Sequence, residues 1–282
     1  MQGTIDATTG NHGAPAPGQP WICALHGDLL GRPPEPHELA RWTEDARRGA
    51  SHRELADRFL RSPAYCSHQV ETLYRCLLDR DGDPAAVQAW TESLAAGAPL
   101  QDVITGLCDS SEYRTLHPPP ATFVESLYER LLHRASDDPG KVGWLRALGT
   151  RASTLSVIQG FLRSTEYCTQ HLTELRVRLL GREPDRPGLL RSVVAAAQGT
   201  ALQHFALEIV TSAEYIARAA GLVPAVSADP HGEAPPPAGD VAAGSQGRMQ
   251  GPMSSLIQRL VQHHGTATYR PCPTDPPADP GQ

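Results

Sequence analysis

The stretch FLRSTEYCTQHLTELRVRLLGREPD, Phe161 to Asp185, decides the fold. It opens on a Ser-x-Glu-Tyr cluster, Ser164 to Tyr167, and closes on Leu179-Leu180-Gly181-Arg182 with Asp185 beyond. Both patterns return. Leu-Leu-x-Arg ends at Arg32, Arg80, Arg134 and Arg182, with offsets of 48, 54 and 48 residues. In every copy a tyrosine lies 35 positions past the second leucine: Tyr65, Tyr113, Tyr167 and Tyr215. Three positions before each stands Ser62, Ser110, Ser164 or Ser212. Nothing slips within that interval in any copy, so the chain is a tandem repeat, and a repeat must be recognised before any motif is read for chemistry.

Each copy reads as three helices. The first carries an apolar stripe at spacings of three and four, which keeps it on one helical face. The stripes are Ile22/Leu25/Leu29, Val70/Leu73/Leu77, Val124/Leu127/Leu131 and Leu172/Leu175/Leu179. After the arginine comes an acid at a fixed offset, Glu35, Asp83, Asp137 or Asp185, with Pro36, Pro84, Pro139 or Pro187 close behind. A carboxylate that caps and a proline near the first helical position together start a second helix. That helix carries Trp42, Trp90 and Trp144 in equivalent places, with Ser192 in copy four, and glycines at 49, 97, 149 and 199 are expected to end it. Ser51-x-x-Glu54 and Thr200-x-x-Gln203 suit a capping box at the start of the third helix. Its stripe is Leu55/Phe59, Val103/Leu107, Val157/Phe161 and Phe205/Ile209.

The six extra residues of the middle offset fall around His117-Pro118-Pro119-Pro120-Ala121-Thr122. No such break separates copies one and two, or three and four, so there the segment after Ser-x-x-Tyr runs as one helix into the next Leu-Leu. The expected fold is all-α: four tandem three-helix repeats arranged as two fused pairs, with disordered N- and C-terminal tails. Residues 20–116 hold copies one and two, 117–122 a proline linker, and 123–221 copies three and four. The tails are 1–19 and 222–282, both rich in residues that bury too little apolar surface to offset the entropy of ordering. A short amphipathic helix is expected at 253–264, within MSSLIQRLVQHHG.

The polar residues of the repeat read first as architecture. In copy one the Ser-x-Glu-Tyr cluster becomes Ser62-Pro63-Ala64-Tyr65. Proline preserves a helix start while the carboxylate is lost, which a cap tolerates and an active site does not. Each serine is therefore expected to cap, each glutamate to meet the positive end of the helix dipole, and each tyrosine to pack its ring while its hydroxyl finds a polar partner. The arginines are expected to satisfy terminal carbonyls and to pair with the acid three places on. A sharper reading makes Arg32, Arg80, Arg134 and Arg182 a row that binds anions.

Composition narrows the function. The 282 residues carry a formal net charge of -6, so no global basic excess drives nucleic-acid binding. No apolar run is long enough to span a bilayer, and the N-terminus has no basic segment ahead of an apolar core, which favours the cytoplasm. Six cysteines show no C-x-x-C spacing, and are expected to be free thiols behaving as small hydrophobes. No metal-binding histidine pattern, phosphate loop, dinucleotide fingerprint or nucleophile elbow occurs. No catalytic, metal or cofactor residue is expected.

Written out, Phe-Val-x-x-Leu-Tyr-x-x-Leu-Leu-x-Arg from Phe123 to Arg134, then Asp, Pro, Gly and Trp, then Phe-Leu-x-Ser-x-Glu-Tyr from Phe161 to Tyr167, resembles domain of unknown function 4214. That family is similar in turn to the helical domain of phycobilisome linker proteins. The resemblance runs from about Trp21 to Ala220 and is most specific in copies three and four. Copy one lacks the glutamate before Tyr65, and copy four lacks the tryptophan. The resemblance implies an all-helical module found in larger bacterial proteins, often secreted or surface-associated and sometimes beside glycosyltransferases, and it brings no catalytic residues. The leading expectation is a non-enzymatic interaction or scaffold module with a protein partner. The alternative is a carbohydrate- or anion-recognising module of the cell envelope. No nucleic-acid partner is expected.

Overall fold

The computed structural model describes residues 17–118, 120–150 and 152–222, and among these there are fourteen helices and no strand. Residues 1–16 and 223–282, which hold most of the expected tails, the short helix at 253–264 and Cys272, lie outside the described residues.

Copy one is α1 (Gln19–Leu30), α2 (Pro36–Arg47) and α3 (His52–Leu60). α4 (Pro63–Leu78) then serves twice, ending copy one and opening copy two, which continues through α5 (Pro84–Ala95) and α6 (Leu100–Cys108) to the short α7 (Ser111–Leu116). Copy three is α8 (Ala121–Leu131), α9 (Asp138–Thr150) and α10 (Thr154–Leu162). α11 (Thr165–Leu180) is again shared, and leads into α12 (Arg186–Ala197), α13 (Leu202–Val210) and α14 (Ala213–Ala219). The prolines explain why the middle junction is two helices and the outer ones are single. Pro118 and Pro120 follow α7 directly, and a proline ring can neither donate an N–H nor let its predecessor stay helical.

The apolar stripes meet in one continuous core. Ile22, Leu29, Val70, Leu77, Val124, Leu127, Leu172 and Leu179 are all buried, as are Leu55, Phe59, Val157 and Phe161 from the third helices. Burial of such a side chain contributes about 1.5–3 kcal/mol. The two fused pairs do not stand apart as separate bodies joined by a linker. α3 of copy one packs on α13 of copy four, and α10 of copy three packs on α6 of copy two. Between them α6 packs on α13. The third helices thus line the middle of the molecule.

The contacts around α6 and α13 repeat with an offset of 102 residues. The Gln203 Oε1 accepts from the Leu100 N–H at 3.2 Å, and the Gln101 Oε1 accepts from the Leu202 N–H at 3.4 Å. Gln203 Nε2 donates to the Ala98 carbonyl, and Gln101 Nε2 to the Thr200 carbonyl. Each glutamine satisfies the start of the other's helix, so the pairs are related by a pseudo-two-fold axis.

That arrangement overturns the capping box expected at Thr200-x-x-Gln203. α13 begins at Leu202 with Ala201 before it, and Gln203 is drawn across the axis instead. The box at Ser51 and Glu54 is present, with Ser51 Oγ accepting from the Glu54 N–H and Glu54 Oε2 accepting from the Ser51 N–H. Gly49, Gly97 and Gly199 take positive φ after α2, α5 and α12, whereas Gly149 lies within α9, which runs on to Thr150.

The chain also closes on itself. α1 packs on α14 and on the end of α13: Trp21 Nε1 donates to the Val210 carbonyl at 2.9 Å, and the Tyr215 hydroxyl donates to Asp28 Oδ2 at 2.8 Å. Arg218 pairs with the same carboxylate. At the middle junction the equivalent of Trp21 is Phe123, which meets Tyr113 edge to face at 6.1 Å, and the Tyr113 hydroxyl donates to Ser126 Oγ. Four copies therefore form a ring with two continuous and two split junctions.

Candidate functional site

Every repeated serine joins two helices. Ser62, Ser110, Ser164 and Ser212 accept from the N–H of Tyr65, Tyr113, Tyr167 and Tyr215 at 3.3, 3.1, 3.1 and 3.2 Å. The same hydroxyls donate at 2.7 Å to the carbonyls of Phe59, Leu107, Phe161 and Ile209, at the end of the preceding helix. One hydroxyl thus satisfies a donor of the new helix and an acceptor of the old one. With both roles taken by the backbone, these serines are not poised as nucleophiles. The four tyrosine rings are buried, and burial pushes the Tyr65 hydroxyl up to about 12.

The arginine row is closed by carboxylates from within the fold. Arg80 grips Glu112 through Nε and Nη2, at 2.5 and 2.6 Å. Arg134 grips Glu166 the same way, with Nη2 at 2.9 Å, and Arg182 grips Glu214 with Nη2 at 2.7 Å. In each case the glutamate is that of Ser-x-Glu-Tyr, 32 residues on. The clasp ties the end of a copy's first helix to the start of the helix that closes the copy. The guanidinium holds the Glu112 and Glu214 carboxyls below their ordinary range.

From the repeat, these arginines are expected to satisfy helix-terminal carbonyls and to pair with the acid three places on. Nη1 does reach a carbonyl, but that of the following loop: Pro33, Asp81, Ala135 and Glu183. The acid three places on is paired in copy three, Arg134 to Asp137 at 3.0 Å. Its common role is to cap the second helix, where Asp83, Asp137 and Asp185 accept from Ala86, Gly140 and Gly188. The repeated glutamates are thus clasp partners as well as first-turn acids.

Copy one pairs its arginine with the second helix instead of the closing one. Ala64 stands where the glutamate would be, and Arg32 instead holds Glu38 through Nη1 at 2.7 Å and Nη2 at 2.9 Å. The Glu38 equivalents are Ala86, Gly140 and Gly188, and a Cβ at Gly140 would lie 2.3 Å from the Tyr128 hydroxyl. Tyr128 is in turn replaced in copy one by His26, which leaves room for Glu38. His26 is buried, with Nδ1 donating to the Ile22 carbonyl, and burial lowers its affinity for a proton. Three positions changed together, and the arginine stayed paired.

None of the five described cysteines is joined in a disulfide, and Cys66, Cys108 and Cys168 are buried. Burial pushes the Cys108 thiol up to about 12, which leaves it an inert hydrophobe. Among the described residues no group of three histidine, cysteine or acidic side chains could hold a metal ion, and no helix is long and apolar enough to cross a membrane.

A ring of helical copies bound by serine joints and arginine–glutamate clasps defines a helical-repeat protein. Residues 64–117 and 118–171 match, in tandem, the family described as Domain of unknown function (DUF4214). The two segments meet at the split between α7 and α8, and they coincide with copies two and three rather than three and four. Those are the copies that hold both the tryptophan and the clasp glutamate. No curated protein and no solved structure matches the chain.

Proposed function

We propose that this chain is a non-enzymatic interaction or scaffold module, whose ring of helices presents a rigid surface to a protein partner. The carrying observation is that the polar residues which recur are engaged with one another, while the copies diverge on the exposed faces of their second helices. On α12, Leu190 is 63% exposed and Val194 50% exposed, one helical turn apart. Copy two has Gln88 and Glu92 at these positions, copy one Ala40 and Glu44, and copy three Val142, itself 51% exposed, and Arg146. An exposed apolar pair on a rigid helix, where every other copy carries a charge at the second of the two positions, favours contact with another protein.

Affinity capture from native cells tests this reading. A specific partner should be recovered by residues 17–222 alone and lost in Leu190→Glu/Val194→Glu, with the thermal midpoint of that variant unchanged. No specific partner, or one retained equally by the double variant, overturns it. The carbohydrate- or anion-recognising reading draws on the family resemblance and the arginine row, and each guanidinium of that row is held by a carboxylate.

A further inference from the structure

Copy four departs from copies two and three at one slot, and does so three times. In copies two and three the slot holds an indole. Trp90 lies against Gly106 and Trp144 against Gly160, so close that a Cβ on either glycine would come within 2.6 Å of the ring. The indole N–H meets the hydroxyl of Tyr74 or Tyr128. In copy four the tryptophan is Ser192, the tyrosine Arg176 and the glycine Glu208. Copy one keeps its indole, Trp42, buried beside Arg58 in the glycine's place and with His26 in the tyrosine's, so copy four is the copy in which the indole itself is lost.

An open hollow of about 450 Å³ remains, lined by Arg176, Asp185, Arg191, Ser192, His204 and Glu208, with Phe205 beside them. Arg176 Nη2 donates to Ser192 Oγ at 3.2 Å, while its Nε is buried without a hydrogen-bond partner. A buried guanidinium N–H with no acceptor costs free energy, and an acceptor brought by a ligand would remove that cost. The neighbouring acids have other engagements. Asp185 Oδ2 accepts from the Gly188 N–H at 2.8 Å, and Glu208 lies 3.2 Å from His204.

We propose that this hollow binds a small planar ligand carrying a carboxylate. The carboxylate meets Arg176 Nε, and the ring takes the space that an indole fills in the other copies. Planarity follows from the slot, and the carboxylate from the orphaned donor and from Arg191 at the same hollow, since a guanidinium fork suits a carboxylate.

Titration of the whole chain with indole-3-acetate tests the site, read by thermal midpoint and by the NMR shift of the Arg176 Nε–H. A saturable midpoint rise of about 3 °C or more is expected, with movement of that resonance. Indole alone and acetate alone should each give a much smaller response. Arg176→Gln should abolish binding, and Ser192→Trp/Glu208→Gly should block it by refilling the slot without lowering the midpoint. The proposal is overturned by no saturable response at millimolar probe, by an equal response to acetate alone, or by undiminished binding in the refilled variant.

Discussion

Gln101 and Gln203 make the same two hydrogen bonds in opposite directions, each completing the start of the helix that carries the other. Truncating either to alanine leaves one N–H and one carbonyl at a helix start without their partner. Each single change should cost about 1–2 kcal/mol. Because the two environments are related by the pseudo-axis, the costs should agree within about 0.5 kcal/mol. Urea unfolding of both variants checks this, and costs that differ by several-fold would show that the two halves are not equivalent at their contact.

Ser164→Ala removes a cap and a carbonyl partner together. The loss should be about 1 kcal/mol, the usual value of an N-cap. For a body of this size that lowers the thermal midpoint by roughly 2–4 °C. Calorimetry that finds the midpoint unchanged would refute the joint role of the hydroxyl.

Glu38 supplies a pH signature. Arg32 holds its carboxyl at about 2 in the folded chain, against 4.5 for a free glutamate. A depressed carboxyl stabilises the fold above its unfolded value, and this contribution drains away as pH falls from about 4.5 toward about 2. Glu38→Gln should therefore lower stability at neutral pH and flatten its decline on acidification. Urea midpoints taken across the acid range would show an unaltered slope if the clasp contributes nothing.

The split junctions predict a circular permutant. α14 packs on α1, and Tyr113 of α7 meets Phe123 and Ser126 of α8, so joining residue 222 to residue 17 and opening the chain between His117 and Ala121 should preserve the ring. A flexible linker of about six residues is within the usual range for helix–helix connections. Cooperative unfolding with a near-native circular dichroism spectrum is the expected outcome. A molten or aggregated product would mean that the α1–α14 contact does not substitute for a covalent turn.

Much of this architecture is legible in the sequence because it depends on short range. Ser164 caps within three residues, the Val70 and Leu172 stripes follow helical period, and Pro118 and Pro120 stop a helix locally. The Arg134–Glu166 clasp spans 32 residues and lies beyond such local patterns, although both members keep a fixed separation in three copies. The clue was in copy one, where Ala64, Glu38 and His26 all differ at once. Closure of the ring was harder to see. Only Trp21 and Phe123, large aromatics at the two positions where Gln69 and His171 sit in the continuous helices, hint that two first helices face a neighbour that ended elsewhere. Gln203 is a related case: a capping pattern is local, and here the Leu100 N–H and the Ala98 carbonyl, distant in sequence, engage the side chain instead.

The contact of α1 with α14 fixes how many copies the molecule can hold. In an open stack of repeats another unit can be appended at either end, and the outermost units need polar faces to shield the stack. Here the first unit shields the last. A fifth insertion would have no vacant flank to occupy without prising Trp21 from Val210. The count of four is a property of the geometry, so length variation in such a chain is expected outside the ring and not within it.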